Sequence, residues 1–195
     1  MNTTSIKTAL IADPSSSNVM NRATNALLRS NCDGMFIVDA DVEARRQDVE
    51  DVLAHDLPLV AGWYAKKEFP AAVCMGADLE PGKPEFHPFV GLRQKEWVGR
   101  GFMYVHRSVF ERLLEVEDVR RYDNCGEPMA ELWQSGVFGD RFEHEDMNFC
   151  RRTQAAGFPT WVDTNVQVIH WGHWGYGLAI PTEIDPEPVL AAAAA

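Results

Sequence analysis

Met35-Phe36-Ile37-Val38-Asp39-Ala40-Asp41-Val42 (MFIVDADV, residues 35–42) is the stretch on which the reading of this chain turns. Four consecutive apolar residues, entered through Asp33-Gly34 and stopped by two aspartates, have the pattern of a short strand buried on both faces, as in a central parallel strand with helices on either side. Asp39 and Asp41 then fall at the carboxyl end of that strand, where open α/β sheets place their ligands. Two carboxylates at i and i+2, with side chains pointing the same way, can share a hard cation such as Mg²⁺ or Mn²⁺, whose other sites are filled by substrate phosphates and water. Aspartate also suits a strand-end turn for purely conformational reasons. The apolar run in front of the pair favours the metal reading.

Working outward, residues 8–12 (TALIA) read as a preceding strand, and Ser15, Ser16, Ser17 and Asn18 offer N-caps for a helix whose stripe is Val19, Ala23, Ala26 and Leu27. Downstream, residues 43–55 have a helical pattern with Val49, Val52 and Leu53 inward, and residues 59–62 (LVAG) make another buried strand. Strand and helix alternate, which predicts a single α/β domain with a mixed, mainly parallel sheet flanked by helices. Residues 65–96, with four prolines and three glycines, predict an irregular excursion holding a weak strand at 71–75. Residues 97–106 (WVGRGFMYVH) predict a strand, Ser108 the cap of the next helix, and residues 117–140 a long functional loop. A helix from Glu143 to Gly157 precedes a strand on which Val166, Val168 and His170 share a face. The domain is expected over residues 1–180, followed by a proline- and alanine-rich tail at 181–195.

Eighteen Lys and Arg against 29 Asp and Glu give a net charge of −11, the wrong sign for a chain that neutralises nucleic-acid phosphates. An acidic chain that binds a phosphorylated ligand needs a divalent cation between its carboxylates and the phosphates. The four cysteines show no CxxC pair or zinc spacing, which predicts reduced, buried thiols in a cytoplasmic protein. Neither a signal-peptide pattern nor an apolar run of membrane-spanning length is present in the sequence.

Three further groups carry possible chemistry. Glu143, Glu145 and Asp146 gather at a helix N-terminus, where acids are favoured by the dipole whatever their role and where one of them can act as a general base. His170 opens a glycine and aromatic loop, with His173 three residues on, so two imidazoles are available to complete an acidic metal site. Trp171, Trp174 and Tyr176 suit either stacking on a sugar or base, or packing of the loop itself.

The blocks FIVDADV (36–42), LVAGWYAKK (59–67), WVGRGFMYVHRSVFERL (97–113), EDMNFCRRTQAAGFPTWVD (145–163) and VQVIHWG (166–172), in this order, resemble a GT-A fold glycosyltransferase of the family 2 type. The resemblance implies a Rossmann-like sheet and a Mn²⁺- or Mg²⁺-dependent transfer of a sugar from a UDP- or GDP-sugar to a hydroxyl acceptor. It implies that Asp39 lies near the donor ribose and metal, that Asp41 and His170 ligate the metal with His173 as the neighbouring imidazole, that Gly99, Gly101 and Phe102 line the donor-sugar pocket, and that Asp146 with Glu145 serves as base. Residues 15–28 resemble the helix before the DxD strand; aligning Asn25 there puts Thr24 where arginine is usual and leaves Arg22 as the substitute. The segment before DxD is short for the family, which fits a fragment, a minimal enzyme, or a module that binds nucleotide or sugar without turnover. A DxD phosphatase or nucleotidyltransferase is the weaker alternative, since Val42-Glu43 is not the continuation expected there. A small domain lacking part of its sheet offers an edge to a second copy, so homo-oligomerisation is open to it.

Overall fold

The computed structural model describes residue 11 and residues 15–68, 72–79, 91–173 and 175–177. The expected strand at 8–12 and the tail at 181–195 lie outside the described residues, as does Trp174. In chain order the elements are α1 (Ser16–Arg29), β1 (Gly34–Val38), β2 (Val42–Glu43), α2 (Arg46–Ala54), β3 (Leu59–Trp63), β4 (Leu92–Gln94), β5 (Phe102–His106), α3 (Arg107–Val116), β6 (Arg121–Asn124), β7 (Glu127–Ala130), β8 (Gly136–Phe138), β9 (Arg141–Glu143), α4 (Glu145–Ala155), β10 (Trp161–Gln167), β11 (Ile169–Trp171) and β12 (Gly175–Tyr176).

The main sheet has the order β1-β5-β3-β10-β4. Only β3 and β10 pair in parallel; β5 runs antiparallel to both β1 and β3, and β4 antiparallel to β10. The sheet is mixed, as expected, but mostly antiparallel among the described strands, and β1 meets an antiparallel neighbour, with Gly34 opposite His106 and Val38 opposite Phe102. An apolar run reports burial on both faces and is silent about the direction of the neighbouring strand, so the sequence expectation of parallel pairing failed here.

Alternation along the strands divides the core in two. Leu59, Ala61, Trp63, Met103, Val105 and Val162 pack with α1, α3 and α4, around Trp133 stacked on Phe149 with ring centroids 3.7 Å apart. Val60, Tyr64, Phe102, Val166 and Val168 face the other way and meet Val52 and Val49 of α2. Gly62 lets the sheet close here, since a Cβ would stand 2.9 Å from the Val166 carbonyl oxygen.

Several boundaries moved for local reasons. α2 starts at Arg46 because Asp48 accepts the Arg45 amide at 2.6 Å and closes a capping box, while Val42 and Glu43 are drawn into pairing with His170 and Ile169. α3 is capped by His106, whose Nδ1 accepts the Ser108 amide at 3.2 Å, rather than by Ser108. Residues 117–140 hold the β6–β7 hairpin and most of the β8–β9 hairpin. Of residues 97–106 only the last five are strand; Val98 makes an isolated bridge to Met75. Cys125 is exposed, against the expectation of buried thiols.

The buried face of α1 keeps Leu27 of the expected stripe but is otherwise different. Ala26 is exposed, and Met20, Asn21, Thr24, Asn25 and Leu27 are buried. Asn21 Oδ1 accepts the amides of Leu132 and Trp133 at 2.8 Å and its Nδ2 donates to the Trp133 carbonyl at 2.9 Å. Asn25 exchanges hydrogen bonds with both backbone groups of Ala130 at 3.1 Å, and Thr24 Oγ1 accepts the Trp133 indole N–H at 2.9 Å. Amide side chains here satisfy backbone groups at the end of β7 and just beyond it that the β6–β7 ladder leaves over.

Asn21→Ala leaves three buried backbone groups without partners, each worth about 1 to 3 kcal/mol. The expected result is a lower urea midpoint with unchanged slope, and loss of about 3 kcal/mol or more.

Candidate functional site

The chain leaves β1 by a turn that decides where the two aspartates go. The Asp39 amide donates to the Gly101 carbonyl at 3.0 Å, continuing the β1–β5 ladder, and the Val42 amide donates to the Asp39 carbonyl at 3.0 Å. Because residues 39–41 form a turn, the two side chains meet different partners instead of sharing one face. Asp39 Oδ1 accepts from Arg100, whereas Asp41 Oδ2 accepts from Lys67 Nζ. The Asp41 Oδ1 atom faces His170 Nε2 at 3.6 Å.

His170 is oriented from behind. Its Nδ1 stands 3.0 Å from the Ala65 carbonyl, and its ring meets Tyr64 edge-on at 5.1 Å. A carbonyl only accepts, so Nδ1 carries a hydrogen and Nε2 is the ring nitrogen turned towards Asp41, the orientation a metal-ligating histidine uses. Burial pushes the Asp41 carboxyl up, but the Lys67 hydrogen bond and charge, joined by His170, outweigh it and hold the group below its ordinary value.

Arg100, between Gly99 and Gly101, ties this turn to α4. Its guanidinium meets Asp39, Glu145 Oε1 at 3.3 Å and Ser16 Oγ at 2.6 Å. Ser16 at the start of α1 also donates to Glu145 Oε1, and Ser135 donates to Oε2 at 2.9 Å. Two neighbouring carboxylates consequently diverge. For Glu145, burial is outweighed by Ser16, its own amide, Ser135 and Arg100, and the carboxyl sits below its usual range. For Asp146, burial dominates over the Met147 amide at 2.8 Å, the Glu145 charge adds to it, and the carboxyl sits above its usual range. Adjacent acids driven in opposite directions are the pattern of divided acid–base roles.

The glycines expected to admit a donor sugar instead admit Tyr64. A Cβ at Gly99 would stand 2.3 Å from the Tyr64 hydroxyl oxygen and one at Gly101 2.8 Å from it, and the Gly101 amide donates to that oxygen at 3.0 Å. Phe102 is fully buried, edge-on to Phe36 at 4.8 Å. Asn25 is committed to Ala130, and Arg22 borders a surface concavity with Asn124, Cys125 and Glu127 on the β6–β7 side. His173 is exposed in the turn between β11 and β12. The structure thus gathers Asp39, Asp41, His170 and Glu145, with Asp146 beside Glu145, and leaves Arg22, Asn25 and Phe102 apart.

Among the described residues, no group of three or more His, Cys, Asp and Glu side chains is positioned to hold a metal ion, so the set Asp39, Asp41, His170, His173 is not assembled as one. Of that set, Asp41 and His170 are the two whose polar atoms face each other, at 3.6 Å, the pair that could contribute to holding a hard cation. Sequence reasoning missed Arg100, Tyr64, Lys67, Ser16 and Ser135. An arginine enclosed by two glycines was the available signal for Arg100; the serines had none, because their role depends on distant elements converging.

No family model matches the chain, and no curated protein matches it in sequence. Among solved structures the fold is similar to that of A197 from STIV, with 15% sequence identity and a TM-score of 0.50 over 82% of this chain and 69% of that one. The likeness concerns the fold, a mixed α/β domain. No helix among the described residues is long and apolar enough to cross a membrane.

Two outcomes follow from the site's electrostatics. Because the folded-state pKa of Asp146 lies above its ordinary 3.8, its contribution to stability is complete below that value and is lost as pH rises through the folded pKa. Asp146→Asn should therefore stabilise the fold at neutral pH, and the gain should vanish in urea titrations below pH 3.8. Tyr64→Phe removes the acceptor of the buried Gly101 amide and should cost about 1 to 3 kcal/mol in the same assay.

Proposed function

We propose that the chain is a metal-dependent glycosyltransferase of GT-A type, moving a sugar from a UDP- or GDP-sugar to a hydroxyl acceptor. The observation that carries this reading is the convergence, through Arg100, of the Asp39–Asp41 turn and its His170 partner with the Glu145–Asp146 pair at the N-terminus of α4. The order of the sequence blocks supports it independently.

In this reading Asp41 and His170 hold Mn²⁺ or Mg²⁺ together with the donor diphosphate. When bound, the cation supplies charge compensation for the departing diphosphate. Asp39 and Arg100 shape the donor side, where an aspartate accepts hydrogen bonds from ribose hydroxyls. Glu145 stays ionised and fixes Arg100. Asp146, raised by burial, receives the proton of the attacking hydroxyl if the anomeric centre is inverted; if configuration is retained, it orients the acceptor. A base brought towards operating pH contributes about 10² to 10⁴ in rate.

The test is thermal unfolding with Mn²⁺ and each of UDP, GDP, CDP and dTDP. One nucleotide at a hundred times its dissociation constant should stabilise by about 2.7 kcal/mol, and Asp41→Ala should abolish the shift. Asp146→Asn should keep that shift while turnover of the matching nucleotide sugar falls by about 10² or more. Absence of a shift with all four nucleotides overturns the donor site; undiminished turnover in Asp146→Asn overturns the base.

A further inference from the structure

Lys67 is ion-paired with Asp41, a residue of the proposed cation site, and no role above has used it. It follows β3 in the loop after Ala65, and its route is built into the fold. A Cβ on Gly172 would stand 3.4 Å from Lys67 Cδ, so the lysine stem lies along backbone in the β11–β12 turn. Its Nζ reaches Asp41 Oδ2, the oxygen His170 does not face. The side chain is 33% exposed, and its neighbour Lys66 is paired with Glu68, so the ion pair with Asp41 is specific to Lys67.

We infer that Lys67 is the counter-charge of this site, paired with Asp41 and transferring to the diphosphate when a cation and nucleotide arrive together. The inference rests on the proposed donor site. A bare divalent cation must compete with Lys67 for Asp41. A cation carrying a diphosphate brings its own anionic oxygens, to which a flexible ammonium with three donors can move. Lys67 is thus a positioning residue that makes cation and nucleotide bind with positive coupling, each strengthening the other.

The experiment measures Mn²⁺ binding by the fall of the free-ion paramagnetic resonance signal, first with Mn²⁺ alone and then with UDP or GDP, in the parent chain, Lys67→Met, Lys67→Arg and Asp41→Ala. Thermal unfolding without ligand checks that each variant is folded. Lys67→Met should bind Mn²⁺ alone about tenfold more tightly and the nucleotide with Mn²⁺ about tenfold more weakly, the size expected for one charge-assisted hydrogen bond. Lys67→Arg, which keeps the charge, should retain nucleotide binding better than Lys67→Met. A lysine that merely braced the turn would move both affinities the same way, so parallel changes, or none, overturn the inference while leaving the cation site standing. Absence of Mn²⁺ binding in every form, with and without nucleotide, overturns both the site and the inference. An unchanged Asp41→Ala would mean that Mn²⁺ sits elsewhere, which also overturns both.

Discussion

The hydroxyl of Tyr64 is the point from which the arrangement of the site can be traced. It accepts the Gly101 amide, and the carbonyl of the same Gly101 accepts the Asp39 amide, so the turn bearing the aspartates is held in position by a side chain from the far end of β3. The same ring lies edge-on to His170, whose other face of hydrogen bonding goes to Ala65, the residue following Tyr64. Three segments separated in sequence are thereby set relative to one another through one phenol. Burial holds its pKa well above the ordinary tyrosine value, so the hydroxyl keeps its proton throughout the range in which the fold exists. The absent Cβ atoms of Gly99 and Gly101 are the condition for this packing.

Around that fixed point, charge is compensated locally. Asp39 and Glu145 share Arg100, and Asp41 has Lys67. In a chain of net charge −11, carboxylates gathered at one place would repel each other unless cations were drawn in among them. Burial lowers the basicity of Arg100, but Asp39 and Glu145 more than reverse this, and the guanidinium is held charged more firmly than usual. Asp146 is the member for which burial prevails. Of Asp41, Glu145 and Asp146, its carboxyl is the one held above its ordinary range.

The parts of this arrangement differ in how far the sequence disclosed them. The strands at 34–38 and 59–63 were legible because burial imposes a local pattern of apolar residues, and the helix at 145–155 because of its acidic first turn and the Gly157 and Pro159 that end it. The place of Asp39 and Asp41 at the end of such a run was legible, whereas His170, expected on one strand with Val166, falls on β11 while Val166 is on β10. Strand direction was not legible: β5 enters between β1 and β3 from much later in the chain, and nothing within residues 34–38 encodes that. The small sheet joining β2 to β11 was invisible for the same reason, since two-residue pairing leaves no periodicity. Arg22 and Asn25 were assigned by analogy to the donor site, yet the amide of Asn25 is spent on Ala130, a demand set by a hairpin over a hundred positions away. Sequence patterns register burial, and they do not register which distant backbone a polar side chain completes.

That last feature bears on how the chain is made. The partners of Asn21 and Asn25 lie 105 to 112 residues further on, so during synthesis α1 emerges long before the segment it will hold. A helix with a wholly apolar inner face would spend that interval exposing a sticky surface. With Asn21, Thr24 and Asn25 on the face that is later enclosed, much of it is satisfied by water in the meantime, and the docking of residues 129–133 becomes an exchange of solvent hydrogen bonds for internal ones. The nascent helix can wait in solution without seeking the wrong partner, and completion of the α1 face becomes a late event, coupled to release of the second half of the chain.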